Sequence, residues 1–228
     1  MRRMYPLLAL VVLVPPLGAC SSASATRIAV SGTDSACTPT KTDLAAGDIT
    51  FDFTNSAGDV NSMYVLRPDA SVVGTVENVS TGAQRALTVS LVAGDYNLVC
   101  QPGQKGDGFR TAIKVTGTGG EAVPEADRAI SIIGKNYKFE IPAALSVKKG
   151  ETIKFVFKNE GTVNHEMEIV DPNRQPIGEV ASIAPKAEGA VTITFEQDGI
   201  YVMRCILTTD NSKPHDALGM TSQIIVTE

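Results

Sequence analysis

The sequence predicts an all-β protein made of two tandem β-sandwiches behind a lipoprotein signal peptide. Three observations carry this. Short alternating or β-branched segments, punctuated by Gly, Asn and Asp turns, run along the chain with no convincing helical stretch among them. These segments form two series whose landmarks match in type and spacing. The first 25 residues belong to neither series and read as an export address followed by a tether.

With 228 residues and 43% apolar content, the chain is long enough for two domains of roughly 100 residues, each with its own core. It holds 20 Lys+Arg against 25 Asp+Glu, a net charge of -5, which becomes about -7 if Arg2 and Arg3 leave with a signal peptide. An acidic balance without a basic cluster argues against nucleic acid as a main partner, because phosphate binding needs concentrated positive charge. Two His and four Cys rule out a disulfide-dense scaffold and any multi-His metal cluster.

Arg2 and Arg3 precede the apolar run Leu7–Val14, which is too short to span a bilayer and suits the core of a signal peptide over residues 1–19. Leu17-Gly18-Ala19-Cys20 resembles a bacterial lipobox, in which the Cys becomes the lipidated first residue. Residues 20–25, rich in Ser and Ala, would then be lipid anchor and tether. The alternative is an ordinary secreted protein with an incidental Cys20. Either way the expected location is the cell envelope outside the cytoplasm: a membrane-anchored lipoprotein of a bacterium, facing the periplasm.

The first series of strand-like segments is Arg27–Ser31, Ile49–Thr54, Met63–Leu66, Leu87–Leu91, Tyr96–Cys100 and Ala112–Thr116. The second is Ala129–Ile133, Leu145–Val147, Thr152–Lys158, His165–Val170, Ala190–Phe195, Tyr201–Cys205 and Ser222–Thr227. Gly47 before Phe51-x-Phe53-x-Asn55 matches Gly150 before Phe155-x-Phe157-x-Asn159. Gly94-x-Tyr96-x-x-x-Cys100 matches Gly199-x-Tyr201-x-x-x-Cys205, and Cys37-Thr-Pro39 sits ahead of Gly47 as Glu140-Ile-Pro142 sits ahead of Gly150. From Asn55 to Cys100 is 45 steps and from Asn159 to Cys205 is 46, so the sequence reads as two copies of one sandwich, at 26–118 and 129–228. Residues 119–128 form a linker by composition.

Both histidines fall in the second copy. His165 follows the strand that ends at Asn159, Cys205 ends the strand that starts at Tyr201, and His215 and Met220 share the next loop. Strands of like direction finish at one end of a sandwich, which brings His165 beside the Cys205–Met220 loop. Two imidazoles, a thiolate and a thioether match the donor set of a type 1 copper. Zinc could use Cys and two His, but Met is a poor zinc ligand. A Cys–His nucleophile is a weaker alternative, since no orienting third group is evident.

On these residues the second copy resembles a cupredoxin of the plastocyanin/azurin kind. Tyr137-Lys-Phe-Glu-Ile-Pro142, the Gly150…Asn159 strand and Asn164-His165-Glu166 are similar to the family's first-ligand region, and Cys205…His215-x4-Met220 to its ligand loop. The resemblance implies a Greek-key sandwich with one copper at one end, held by His165, Cys205, His215 and Met220. It implies that Cys205 is the main electronic route and that His215, on a surface loop, is where electrons enter. Nine residues separate Cys205 from His215, more than in small blue-copper proteins and closer to the type 1 domain of copper nitrite reductases. A loop of that length implies a more exposed metal or a docking surface.

The first copy offers Asn61-Ser62 where the second has His165, and Gln101-Pro-Gly-Gln-Lys-Gly-Asp107-Gly after Cys100, so it lacks type 1 ligands. It resembles the cupredoxin-like module of EfeO-type iron-uptake proteins through Cys37-Thr-Pro39, Val73-Gly-Thr-Val-Glu77-Asn78, Gly94-Asp-Tyr96 and Cys100-Gln-Pro-Gly-x-x-Gly-Asp107-Gly. The large helical domain that accompanies this module is missing, and Ser62 stands where an acidic residue is usual. Cys37 and Cys100 have two readings. In an oxidising compartment they form a disulfide, whose 63-residue loop could contribute on the order of 4 kcal/mol. Otherwise they bind Cu(I), with Glu77 or Asp107 nearby.

The resulting expectation is a copper-binding lipoprotein that carries single electrons and is not a catalyst. Its partner would be a redox protein or, in a metal-handling alternative, a membrane transporter receiving copper or iron.

Overall fold

The computed structural model describes residues 26–141, 145–208 and 213–228. The proposed signal peptide, Cys20 and the tether lie outside the described residues, as does Pro142. Among the described residues no helix is long and apolar enough to cross a membrane.

The first sandwich is built from β1 (Thr26–Gly32), β2 (Cys37–Pro39), β3 (Asp43–Ala45), β4 (Gly47–Asn55), β5 (Asn61–Leu66), β6 (Val72–Val79), β7 (Gln84–Leu91), β8 (Gly94–Pro102) and β9 (Phe109–Thr116). The second uses β10 (Arg128–Lys135), β11 (Lys138–Glu140), β12 (Leu145–Lys148), β13 (Thr152–Asn159), β14 (His165–Val170), β15 (Pro176–Ile183), β16 (Glu188–Thr194), β17 (Gly199–Arg204) and β18 (Thr221–Thr227). The sheet orders are β2-β1-β4-β7 and β3-β9-β8-β5-β6, then β11-β10-β13-β16 and β12-β18-β17-β14-β15. Each second-copy strand occupies the place of the strand nine earlier, so the duplication read from the sequence is a duplication of fold. In each copy the first long strand pairs parallel with the fourth and the short third strand pairs parallel with the last, the remaining pairs being antiparallel.

The landmarks have physical reasons. Phe51 and Phe53 fill the first core and Phe155 and Phe157 the second, every one of them fully buried. Tyr96 donates its hydroxyl proton to the Val92 carbonyl and Tyr201 to that of Gln197, in each case four residues back, tying the turn before the strand to its core. Asn55 and Asn159 end β4 and β13 with their side chains turned inward. Asn159 Nδ2 donates to the carbonyls of Val163 and Ile183, both at 2.9 Å, and Asn55 Nδ2 donates to Asp59 and Val79 in the same manner. Each Asn thus fixes the loop that leads into β5 or β14.

Three details depart from the sequence reading. Strands β2, β3, β6, β11 and β15 were not expected. Arg128, placed in the linker by composition, begins β10. Cys37 lies opposite Gly32, and the residue opposite the equivalent Gly134 is Phe139, so the Cys37 landmark matches Phe139 and not Glu140. Cys37 and Cys100 are joined by a disulfide that ties β2 to β8.

The sandwiches also meet each other. All six residues of β5 and all six of β14 are buried, although a strand has only one face toward its own core. Their second faces lie in the joint, where Tyr64, Leu66 and Val99 of the first domain pack on Ala181 of the second. The turn between β5 and β6 reaches across. Ala181 N–H donates to the Ala70 carbonyl at 3.0 Å, and Ala190 N–H donates to that of Asp69 at 2.8 Å. Gly189 permits this approach, because a Cβ there would lie 2.9 Å from the Asp69 oxygen and 2.5 Å from Val180.

Candidate metal centre

Four elements bring the candidate ligands to one end of the second sandwich. His165 is the first residue of β14, Cys205 follows directly on β17, His215 starts a short 3-10 helix (Asp216–Leu218), and Met220 precedes β18. Backbone bonds hold the loop: Cys205 N–H donates to Met220 O, Asp216 N–H to Cys205 O at 2.8 Å, and Met220 N–H to His215 O at 2.9 Å. The long Cys205–His215 spacing is absorbed at its base. His215 N–H donates to Leu207 O at 2.9 Å, and Thr208 and Pro214 form a bridge. These two contacts close the neck of the loop between Leu207 and His215.

The donors converge. One atom each of His165, Cys205 and His215 lies within 4.8 Å of the others, and among the described residues this is the one such group of His, Cys and carboxylates. His165 Nδ1 and His215 Nδ1 are 3.1 Å apart, and Cys205 Sγ is 3.3 Å from His215 Nδ1. All three residues and Met220 are fully buried. Nitrogen ligands bind at about 2.0–2.1 Å and thiolates at about 2.3 Å, so separations of this size are those of donors sharing one ion. The mix of thiolate, imidazole and a buried thioether close by suits copper better than a hard cation.

Electrostatics agree with metal binding. Burial, helped by the neighbouring His215, holds His165 down at about 4, and burial also lowers His215. Both imidazoles are therefore neutral at physiological pH, with lone pairs free to coordinate. Burial, then the nearby Glu166, pushes the Cys205 thiol up, so the metal-free thiol keeps its proton and a metal must displace it.

Neighbouring residues set the geometry. Glu166 N–H points at Cys205 Sγ at 3.4 Å, while its carboxylate accepts from Ile206 N–H at 2.7 Å, strapping the ligand loop to β14. Burial raises this carboxyl to about 8, with Ile206 opposing and Glu168 and Glu77 adding to the rise. Gly161 abuts the far edge of His165: a Cβ there would lie 2.7 Å from Nε2. Nε2 itself is buried with no hydrogen-bond partner among the described residues. Tyr137, in a left-handed backbone conformation at φ 68°, lays its ring edge-on against His215, with centroids 4.9 Å apart.

Residues 110–214 match the family model described as a cupredoxin-like domain, a span that contains His165 and Cys205 and stops one residue before His215. This stretch is similar to a cupredoxin-like domain. No curated protein resembles the chain closely enough in sequence to count as a match. Among solved structures, an auracyanin from Roseiflexus castenholzii is 22% identical, covering 46% of this chain and all of that one at a TM-score of 0.38. Auracyanin B is 15% identical, covering 46% of this chain and 92% of that one at a TM-score of 0.40. A copper nitrite reductase from Nitrosomonas europaea is also 15% identical, covering 89% of this chain and 93% of that one at a TM-score of 0.34.

In the second domain the His165, Cys205 and His215 cluster, with Met220 beside it, is compatible with one type 1 copper. Two expectations about this domain need correction. His215 is not a surface residue: it is fully buried, with the half-buried Tyr137 over it. The long loop does not leave the donors exposed, because its neck closes above Cys205. The structural roles of Glu166, Gly161, Asn159 and Tyr137 also went unread. Asn159 was signalled by its repeat partner Asn55, and Glu166 by a carboxylate set in an apolar strand beside a His.

In the first domain Asn61 occupies the His165 position and is fully buried, with neither side-chain atom hydrogen-bonded among the described residues. Cys100, at the Cys205 position, is in the disulfide. Asp107 turns toward the second domain, where Asn164 Nδ2 donates to its carboxylate.

Proposed function

We propose that the chain is a one-electron carrier whose second domain holds a single type 1 copper through His165, Cys205, His215 and Met220. One observation carries the reading: the donor atoms of His165, Cys205 and His215 lie within 4.8 Å of one another in a fully buried cluster, with the buried Met220 joined to it through the backbone. Copper would supply the one-electron couple. The protein would supply a dry, fixed cage that changes little between oxidation states. Full burial of all four side chains favours retention of the ion over its delivery, which sets electron carriage above metal transfer to a transporter.

Cys205, bonded through the backbone to β17 and receiving the Glu166 N–H, would be the main electronic path into the fold. The half-buried Tyr137 lies against His215 and the Asp216–Leu218 turn follows it, so electrons would enter there. With an acidic chain, a redox partner that presents a basic patch would associate faster at low salt. The N-terminal lipobox-like motif would tether the carrier to the membrane surface outside the cytoplasm.

The test is a Cu(II) titration of residues 21–228 followed by visible absorption. An intense thiolate-to-copper band saturating at one equivalent, bleached by mild reductant and absent from Cys205→Ala, is the expected result. Retention of that band in Cys205→Ala would overturn the ligand assignment. Tight but colourless copper binding would favour metal handling instead.

A further inference from the structure

The first domain keeps the fold of the second and has lost its ligands, and the joint between them indicates a use for it. β14 carries His165 on its inner face, while its outer face presents Glu166 and Glu168. That outer face is covered by the first domain instead of water. Tyr64, Gln101 and Gln104 lie against Glu166, Ile206, Leu207 and Thr208, which are the strap on Cys205 and the neck of the ligand loop. The gaps left along this contact are about 30 and 10 Å³, room for no more than a few waters.

The glycine-rich stretch after Cys100 is shaped for this contact. Gly103, Gln104, Gly106 and Gly108 all have positive φ, from 54° to 67°, which folds the loop into a tight knuckle. A Cβ at Gly108 would lie 2.8 Å from the Cys100 oxygen, so the knuckle returns directly over the disulfide-bonded Cys100. Its tip offers the Gly106 carbonyl, which accepts from Ser182 Oγ at 3.5 Å, and the Asp107 carboxylate, which accepts from Asn164. Asn164 also donates to Ser182 Oγ and is the residue before His165. The knuckle therefore grips both strands at the entrance to the site, β14 through Asn164 and β15 through Ser182.

We propose that the first domain is a brace for the metal centre of the second. It contributes no ligand. It clamps the outer face of β14 and the neck of the ligand loop, so that His165 and Cys205 are held in position whether or not a metal is present. The idea rests on the copper reading for its consequence, but the rigidity it describes belongs to the protein alone and can be measured without copper.

The test uses the full two-domain chain and variants at two positions, Ala181 and Asp107, that spare the ligands and both cores. Ala181→Arg forces a long charged side chain into the contact with Tyr64, Leu66 and Val99. Asp107→Ala removes the grip on Asn164, and Asp107→Asn restores an acceptor there. In metal-free protein, amide hydrogen exchange over 165–170 should rise about tenfold in Ala181→Arg and a few-fold in Asp107→Ala, and return to the parent rate in Asp107→Asn. With copper, affinity should fall about tenfold in Ala181→Arg, the size seen when partners behind metal ligands are lost. The reduction potential should shift in the same variant. If Ala181→Arg does not fold, the Asp107 pair decides by exchange. Exchange over 165–170 unchanged in both variants would overturn the brace. If the parent protein takes up no copper, the functional reading fails while the exchange comparison still decides this one.

Discussion

Gly161 and His165 show how narrowly the site is specified at the scale of single residues. The backbone at Gly161 is open to any residue, but the space is not: an added methyl would sit 2.7 Å from His165 Nε2 and 3.0 Å from Cδ2. The imidazole would have to swing, and its Nδ1 would leave the point it shares with His215 and Cys205. Gly161→Ala should therefore fold with a loss of about 1–3 kcal/mol, the usual cost of overpacking. It should weaken copper binding and shift the thiolate-to-copper band, which a copper titration followed by absorption would detect. Tyr137 makes a complementary case. Its ring covers His215 from the solvent side. Tyr137→Phe should keep that cover and leave electron exchange nearly unchanged. Tyr137→Ala should open His215 to water and to small anions, seen as an azide-dependent change in the copper spectrum that the parent protein does not show.

At the scale of elements, the duplication supplies its own controls. Asn159 and Asn55 make the same two carbonyl bonds and each accepts one backbone N–H two residues on. Replacing either by Ala leaves buried carbonyls unpaired and should cost about 2–3 kcal/mol. Denaturant unfolding should show equal losses, with only Asn159→Ala also weakening copper, because only its loop leads to a ligand. In the first domain, Cys37→Ser should destabilise by on the order of 4 kcal/mol in the chain-entropy picture and leave the copper band intact. The repeat was legible because the residues that close a sandwich, Phe-x-Phe-x-Asn and Gly-x-Tyr, recur at fixed spacing whatever the copy does. Strands such as β15 were not legible, since Pro176, Gly178 and Glu179 break the apolar alternation by which strands are recognised. The meeting of His165, Cys205 and His215 was readable from residue chemistry and from which strand ends coincide. The burial of His215 was not, because it depends on Tyr137 and on the bridge between Thr208 and Pro214, and neither leaves a periodic trace. The burial of the charges on β14 leaves no periodic trace either: Glu166 and Glu168 alternate as a solvated face would, yet both are buried.

At the scale of the whole molecule, that covered face makes stability depend on pH in a way an isolated sandwich would not share. Glu166, Glu168 and Glu179 are buried in or beside the joint, and Arg204 pairs with Glu168 alone. Glu168 and Glu179 stand directly opposite one another on β14 and β15, a like-charge pairing that favours a proton on Glu179. Glu179 is accordingly pushed well up, chiefly by burial and then by Glu166, Glu77 and Glu168, and Glu166 is raised to about 8. For a carboxyl raised by folding, the folded chain holds a proton that the unfolded chain has released. Between the ordinary 4.5 and about 8 stability therefore falls as pH rises. His165 works in the opposite sense: lowered from 6.5 to about 4, it makes stability rise with pH across that window. The two slopes oppose each other from pH 4.5 to 6.5, and above 6.5 only the carboxyl slope remains. A single group contributes at most about 1.4 kcal/mol per pH unit. The melting temperature of the metal-free protein should thus change little below pH 6.5 and drop between 6.5 and 8. Glu179→Gln, which keeps the neutral shape and removes the proton, should flatten that drop while leaving the ligands untouched. A melting temperature that holds steady or climbs from pH 6.5 to 8 would mean that the joint admits enough water to solvate its carboxylates, and that the two domains are less tightly closed than their packing requires.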